Sequence, residues 1–201
     1  MEKKRLPADA IRVHILYAAE ALLRRHGPDK LTVTDVAAAM GMTHGNVYRH
    51  FSSKAELRAA VVEQWLERIQ NQMAEVVEAA TPADLRLSDW LTGLACIKLR
   101  KVVDDVEMLA ASRMIGDEMV EVEQRHIAAL RAQVARILAD GLNDGTLPNA
   151  EPVAERAAAI INAASRFFHP DFVLRGGPAD QQMAALSGVV DLILQGLARR
   201  A

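Results

Sequence analysis

The chain has 201 residues, a formal net charge of −2, 51% hydrophobic but only 4% aromatic residues, and one cysteine, Cys96. That length holds one or two domains with a core that needs no covalent staples, and a single cysteine excludes an intrachain disulfide and a cysteine-rich zinc site. No apolar run approaches the roughly 20 residues that span a bilayer, and the basic start MEKKRLPADA lacks the apolar stretch of a secretory signal, so a cytoplasmic chain without a membrane partner is expected.

Ala, Leu, Val, Ile and Met do most of the apolar filling, which favours packed helices over sheets, and the fold class expected is all-α. Charge is unevenly spread. Residues 1–60 hold ten basic and six acidic side chains together with His14, His26, His44 and His50, whereas residues 61–201 are net acidic. Such a split points to one end that faces a polyanion.

In chain order, Ile11, Ile15, Ala18 or Ala19, Leu22 and Leu23 recur on one face of a helix over 7–25, which Gly27-Pro28 ends. In LTVTDVAAAMG, Thr32 with Asp35 three residues later has the form of a capping box, and Gly41 supplies a left-handed residue to close a helix of about two turns. Thr43 then caps a third helix through THGNVYRHF. Ser53 and Glu56 form a second capping box ahead of a long helix with apolar positions at Leu57, Val61, Trp65, Ile69, Met73 and Val76 or Val77. Two short helices joined by a glycine-containing turn and flanked by longer ones make a helix-turn-helix pattern. Further helices are expected over 83–101, 106–113, 116–140, 152–168 and 179–198, about nine in all, separated by LNDGTLPNAEP and HPDFVLRGGP. No Gly/Ser linker intervenes, so the domain seam falls within the long fourth helix.

The stretch THGNVYRHF mixes groups that neither a core nor a plain solvated face wants. In a helix-turn-helix the second helix enters the major groove, and its N-terminal residues meet bases and phosphates. Thr43 at a helix N-terminus suits a phosphate; His44, Asn46 and Arg49 carry hydrogen-bonding groups of the kind used on purines; Tyr48 and His50 can donate to phosphate oxygens. Gly45 removes a side chain where backbone must come close, at a helix cost of about 1 kcal/mol against Ala. Val47 and Phe51, four apart, take the opposite face. The plainer alternative is a short core helix with polar decoration, which gives no reason for Gly45.

The segment from Ala10 to Leu57 closely resembles the N-terminal domain of the TetR/AcrR family of transcriptional regulators, through Thr32, Val36, Ala37, Gly41, Gly45, Val47, Tyr48, His50, Phe51, Lys54 and Leu57. The resemblance implies that Thr34, Thr43, His44, Gly45, Asn46, Tyr48, Arg49, His50 and Lys54 lie at a DNA surface. Arg49 stands where the family often has a smaller or aromatic residue. The resemblance also implies a three-helix DNA-binding domain at residues 1–55 and a larger helical ligand-binding and dimerisation domain at 56–201. The last two helices would form a four-helix bundle with a partner copy.

The apolar stripes of 152–168 and 179–198 suit either a core or a two-fold interface, and the resemblance favours the interface. Met73, Trp90, Leu94, Met108, Met114 and Phe168 are bulky or pliable enough to line a ligand pocket, with Arg166 and His169 as polar contacts; each one taken singly also suits an ordinary core. His169 equally suits a helix-end cap. Catalysis is not expected: no nucleophile motif or phosphate loop appears, His126 and His169 have no metal-ligand partner at helical spacing, and neither metal nor cofactor is called for. The function expected is a repressor that binds a palindromic double-stranded DNA operator as a homodimer and is released by a small hydrophobic effector. The alternative is a DNA-binding regulator with no small-molecule effector.

Overall fold

The computed structural model describes residues 7–114 and 117–198, and every regular element in them is a helix. In order these are α1 (Ala8–His26), α2 (Val33–Ala39), α3 (His44–Tyr48), α4 (Lys54–Val77), α5 (Ala83–Asp104), α6 (Val106–Ser112), α7 (Asp117–Asp144), α8 (Val153–Ala163), α9 (Ser165–Phe168), α10 (Pro170–Arg175) and α11 (Ala179–Ala198). The fold is all-α, as its composition leads one to expect. The expected start of the seventh helix at Gly116 lies outside the described residues.

Among the described residues there are eleven helices against the nine or so expected, and the surplus comes from one place. The apolar pattern of 152–168 predicts a single helix, but the run breaks at Ala164, and the four-residue α9 buries both Phe167 and Phe168. His169, which precedes Pro170, is extended at φ −77 and ψ 128, as a residue before proline favours, and this ends α9 at Phe168. Pro170 then opens α10, where a missing N–H does no harm.

The chain packs as two compact units. One comprises the chain up to Leu66 with Asp105–Glu123; the other comprises Glu67–Asp104 and the chain from Gln124 onward. Helices α4 and α7 each contribute to both.

The first unit is cored by Ile15, Leu23, Leu31, Val36, Val47, Phe51, Leu57 and Val61, all essentially inaccessible. Asp105, itself buried, accepts from Trp65 Nε1 at 3.1 Å and pairs with Arg24, which also bonds Glu20 at 2.9 Å. Burial works against the Arg24 charge, but the Asp105 and Glu20 carboxylates outweigh it and raise its pKa. This cluster ties α1 and α4 to the start of α6.

The second unit packs Leu87, Trp90, Leu91 and Leu94 of α5 with Leu130, Val134, Ile137 and Leu138 of α7 and Leu186 of α11 in its core. Arg86 is buried, donating to Val77 O at 2.6 Å and to Asp140 at 2.9 Å, so its charge is compensated where it sits.

Candidate functional site

Short-range bonds fix the turn between α2 and α3. Thr32 caps α2, its hydroxyl accepting from Asp35 N at 3.1 Å. At the far end Met42 N donates to Ala37 O at 2.9 Å and Gly41 N to Ala38 O at 3.1 Å, the paired bonds of a Schellman motif, with Gly41 at φ 62. Thr43 follows as the N-cap of α3, but its hydroxyl makes no cap hydrogen bond and stays exposed.

Helix α3 presents two contrasting faces. Val47 and, just beyond the helix, Phe51 have 0% exposure; fully burying such side chains stabilises by roughly 1.5–3 kcal/mol each. On the other side Thr43, His44, Gly45, Asn46, Tyr48 and Arg49 are exposed, His50 is half-buried, and Thr34 of α2 is exposed nearby in sequence. Tyr48 keeps 48% of its surface in water, and the His44 ring meets it nearly at right angles, centroids 6.5 Å apart. A methyl group built on Gly45 meets nothing nearer than Thr43 Oγ1 at 4.0 Å, so nothing inside the protein requires glycine there. The surface is polar, aromatic and backbone-accessible at once, which suits hydrogen bonding to an extended polar partner.

The start of α4 braces this surface. Ser53 Oγ accepts from Glu56 N at 2.9 Å, as a capping box requires. The return bond differs from the expected form: the Glu56 carboxylate accepts from both N and Oγ of Ser52, at 2.6 Å each, and not from Ser53 N. Those Ser52 bonds, side-chain first and then backbone, hold the Glu56 carboxyl below its ordinary pKa. Lys54 Nζ donates to Asp29 O at 3.0 Å, which uses one of its three donors. Arg12 of α1 lies with its guanidinium 4.5 Å from the Phe51 ring centroid. It is an exposed cation beside α3 that sequence spacing does not single out.

The residues expected to line a ligand pocket fall in both units. Trp90, Leu94 and Met73 are buried in the second; Trp90 meets Phe168 edge-on at 6.3 Å and donates from Nε1 to Gln133 Oε1 at 2.9 Å. Met73 fills the space left by Gly93 and lines an open groove of about 420 Å³ with Val76, Asp89, Cys96, Ile97 and Arg100. Arg166 and His169 are exposed, and His169 serves as the N-cap of α10, its Nδ1 accepting from Asp171 N at 3.3 Å. Met108 is buried and Met114 half-buried in the first unit.

Sequence reasoning passes over Lys98. It lies in GLACIKL, one turn beyond Leu94 and two beyond Trp90, and is buried against His126 at 3.2 Å. Its position on the apolar face of α5 is the available signal. Among the described residues no helix is long and apolar enough to cross a membrane.

Residues 15–61 match the model of the bacterial regulatory proteins of the tetR family, and residues 83–189 match the tetracyclin repressor-like C-terminal domain. The HTH-type transcriptional regulator TtgR of Pseudomonas putida is 29% identical over 171 residues, which span 78% of this chain and 77% of TtgR. A solved structure of a regulator assigned to the TetR family in Mesorhizobium loti superposes with a TM-score of 0.71 at 18% identity, covering 95% of this chain and 98% of its own. The triclosan complex of SmeT, the repressor of a multidrug efflux pump in Stenotrophomonas maltophilia, gives a TM-score of 0.66 at 20% identity over 92% of this chain and 90% of its own.

Proposed function

Because the chain belongs to the tetR family of bacterial regulatory proteins, which are transcriptional regulators and not enzymes, we propose that it is a cytoplasmic repressor. It binds a pseudo-palindromic DNA operator as a homodimer and leaves it when a small, largely apolar effector binds. The observation that carries this reading is the two-faced α3, with Val47 and Phe51 sealed inward and Thr43, His44, Asn46, Tyr48 and Arg49 open outward around a glycine the fold does not need.

In this reading α3 enters the major groove, Asn46 and Arg49 meet base edges, and Thr34, Thr43, Tyr48, His50 and Lys54 meet phosphates. Residues 1–55 bind DNA, and residues 56–201 bind the effector and the partner copy. Pairing through α8 and α11 is supported by the exposed small residues Ala154, Ala159 and Ala163 on α8 and by Ala184, Ala185, Gly188 and the 70%-exposed Leu192 on α11. Effector response is supported by the triclosan held by SmeT. Helix α4 is the lever, since it runs unbroken from Lys54 beside the DNA surface to Val77 in the second unit.

Light scattering and sedimentation with a duplex test the assembly. Two protomers per duplex are expected, with half-site centres about 34–36 Å apart. A monomer at micromolar concentration on a single half-site rejects it. An effector must also bind the operator complex more weakly than the free protein, by the factor with which it weakens operator binding. Failure of every compound in a chemically diverse panel favours a regulator without a small-molecule effector.

A further inference from the structure

Most buried charged and amide side chains of the second unit have an oppositely charged or hydrogen-bonding partner, although Arg86 Nε and Asp84 Oδ1 keep no bond of their own. Arg86 has Asp140; Trp90 has Gln133; Gln133 Nε2 donates to Gln70 O at 2.8 Å; and Gln182 Nε2 donates to Val173 O and Gly177 O at 3.1 and 2.9 Å. Lys98, only 9% exposed, is different. An ammonium carries three donors, and one acceptor is present, the Nε2 of His126 on α7 at 3.2 Å. Among the described residues Lys98 makes no ion pair, and the charge that acts on it is the like charge of Lys101.

A buried cation with two unused donors and no counter-charge is costly unless something supplies the missing anion. We propose that Lys98 is the anion-recognising residue of the effector site, and that the effector is an organic monocarboxylate with an apolar body whose carboxylate takes the two free donors of Lys98. This rests on the effector-responsive reading above and narrows it to one chemical class. A single cation balances a single negative charge, whereas a phosphate dianion would be left half-compensated. The apolar body follows from the residues one and two turns before Lys98 on α5, Leu94 and Trp90, both buried. Since Lys98 is itself buried, entry requires its apolar neighbours to part.

The His126 imidazole passes the event on. Burial, and then the Lys98 charge, push its pKa down to about 3, so it stays neutral with a single N–H. Its Nδ1 lies 2.8 Å from the amide nitrogen Nε2 of Gln70 on α4. Two proton arrangements satisfy this chain. With an ammonium at Lys98, His126 Nε2 accepts, Nδ1 carries the proton, and Gln70 must offer its amide oxygen. A neutral amine can also accept, so His126 Nε2 is then able to donate to Lys98 while Gln70 donates to Nδ1. Burial, followed by Lys101, lowers the Lys98 pKa to about 8 when the site is empty, and a bound carboxylate favours the ammonium form. Around and above pH 8, where the empty site holds a growing share of neutral amine, carboxylate binding therefore selects the Gln70 orientation that the ammonium requires.

The test uses the full chain, with benzoate, octanoate and decanoate as probes and their primary amides as neutral counterparts. Equilibrium binding is measured from pH 6 to 10, and the Lys98 side chain is followed by NMR in lysine-labelled wild type. Carboxylates should bind about 10–150-fold more tightly than the amides, raise the Lys98 titration midpoint, and weaken as pH climbs above about 8. Lys98→Met should abolish the preference while leaving amide binding in place. Equal binding of acids and amides, an acid preference that survives in Lys98→Met, or a Lys98 titration that no carboxylate moves would each overturn the proposal; the NMR readout needs no variant. Selection of an operator from random duplexes is scored separately, so a chain that selects DNA but ignores the carboxylate charge contradicts this inference alone, and a chain that selects no DNA contradicts the regulator reading.

Discussion

Gly45→Ala separates what the fold needs from what DNA binding needs. A new Cβ at this position has 4.0 Å to its nearest neighbour, and Gly45 is not among the positive-φ glycines, so alanine fits α3 without strain. Replacing a helical glycine at a compatible site stabilises by about 0.4–1 kcal/mol, through the helix and the unfolded chain together. For a protein of this size that corresponds to a rise of about 1–4 °C in Tm. The same methyl group stands on the exposed face between His44 and Asn46, where backbone is proposed to approach DNA, and operator affinity should fall about 10-fold or more, roughly 1.4 kcal/mol. Calorimetry gives the first quantity and fluorescence anisotropy with operator duplex the second. The two quantities should move in opposite directions, Tm upward and operator affinity downward. A drop in Tm would mean that the fold itself requires the glycine, and an unchanged operator affinity would mean that nothing comes close to α3 there.

Other substitutions probe the remaining links. Asn46→Ala and Arg49→Ala should each cost on the order of 1–3 kcal/mol of operator binding and relax preference at particular base pairs, whereas Lys54→Ala should weaken all sequences alike and flatten the salt dependence by about one unit of slope; equal losses on operator and random DNA for all three would contradict the roles given. Asp105→Ala removes the acceptor of Trp65 Nε1 and an ionic partner of Arg24, and urea melts should show a loss of about 1–3 kcal/mol. The Glu56 carboxyl, held below its ordinary value of 4.5, contributes stability that is complete above that value and fades as pH falls through its depressed one; Glu56→Gln should therefore lower stability at neutral pH and flatten the acid limb of the melting profile. For Lys98 the sign reverses: a base lowered from 10.5 to about 8 makes the empty protein gain stability as pH rises between those values, and Lys98→Met should erase that slope and be more stable at pH 7 by about 3 kcal/mol.

The parts of the fold legible in the chain are those set by neighbours in sequence. Thr32 and Asp35, Gly41, and Ser53 with Glu56 announce helix ends because their bonds span three to five residues. The spacing of Val47 and Phe51 assigns the inner face of α3 for the same reason, and the outer face follows by subtraction. What stays hidden depends on distant packing. The break at Ala164 falls in a run with no Gly or Pro between Val153 and His169, so no local signal states it. Asp105 reaches Trp65 across 40 positions and Arg24 across 81. A lysine on an apolar helix face usually snorkels to water, so only the packed structure distinguishes a buried Lys98 from an exposed one.

Selection of bound sequences from random duplex DNA by the wild-type chain tests the central claim most directly, since it assumes neither an operator nor an effector. The account predicts enrichment of an inverted repeat whose half-site centres lie about one helical turn, ~34–36 Å, apart, and a loss of base preference within each half-site for Asn46→Ala and Arg49→Ala. Recovery of unenriched DNA, or of a single asymmetric site whose selection survives both substitutions, would contradict it.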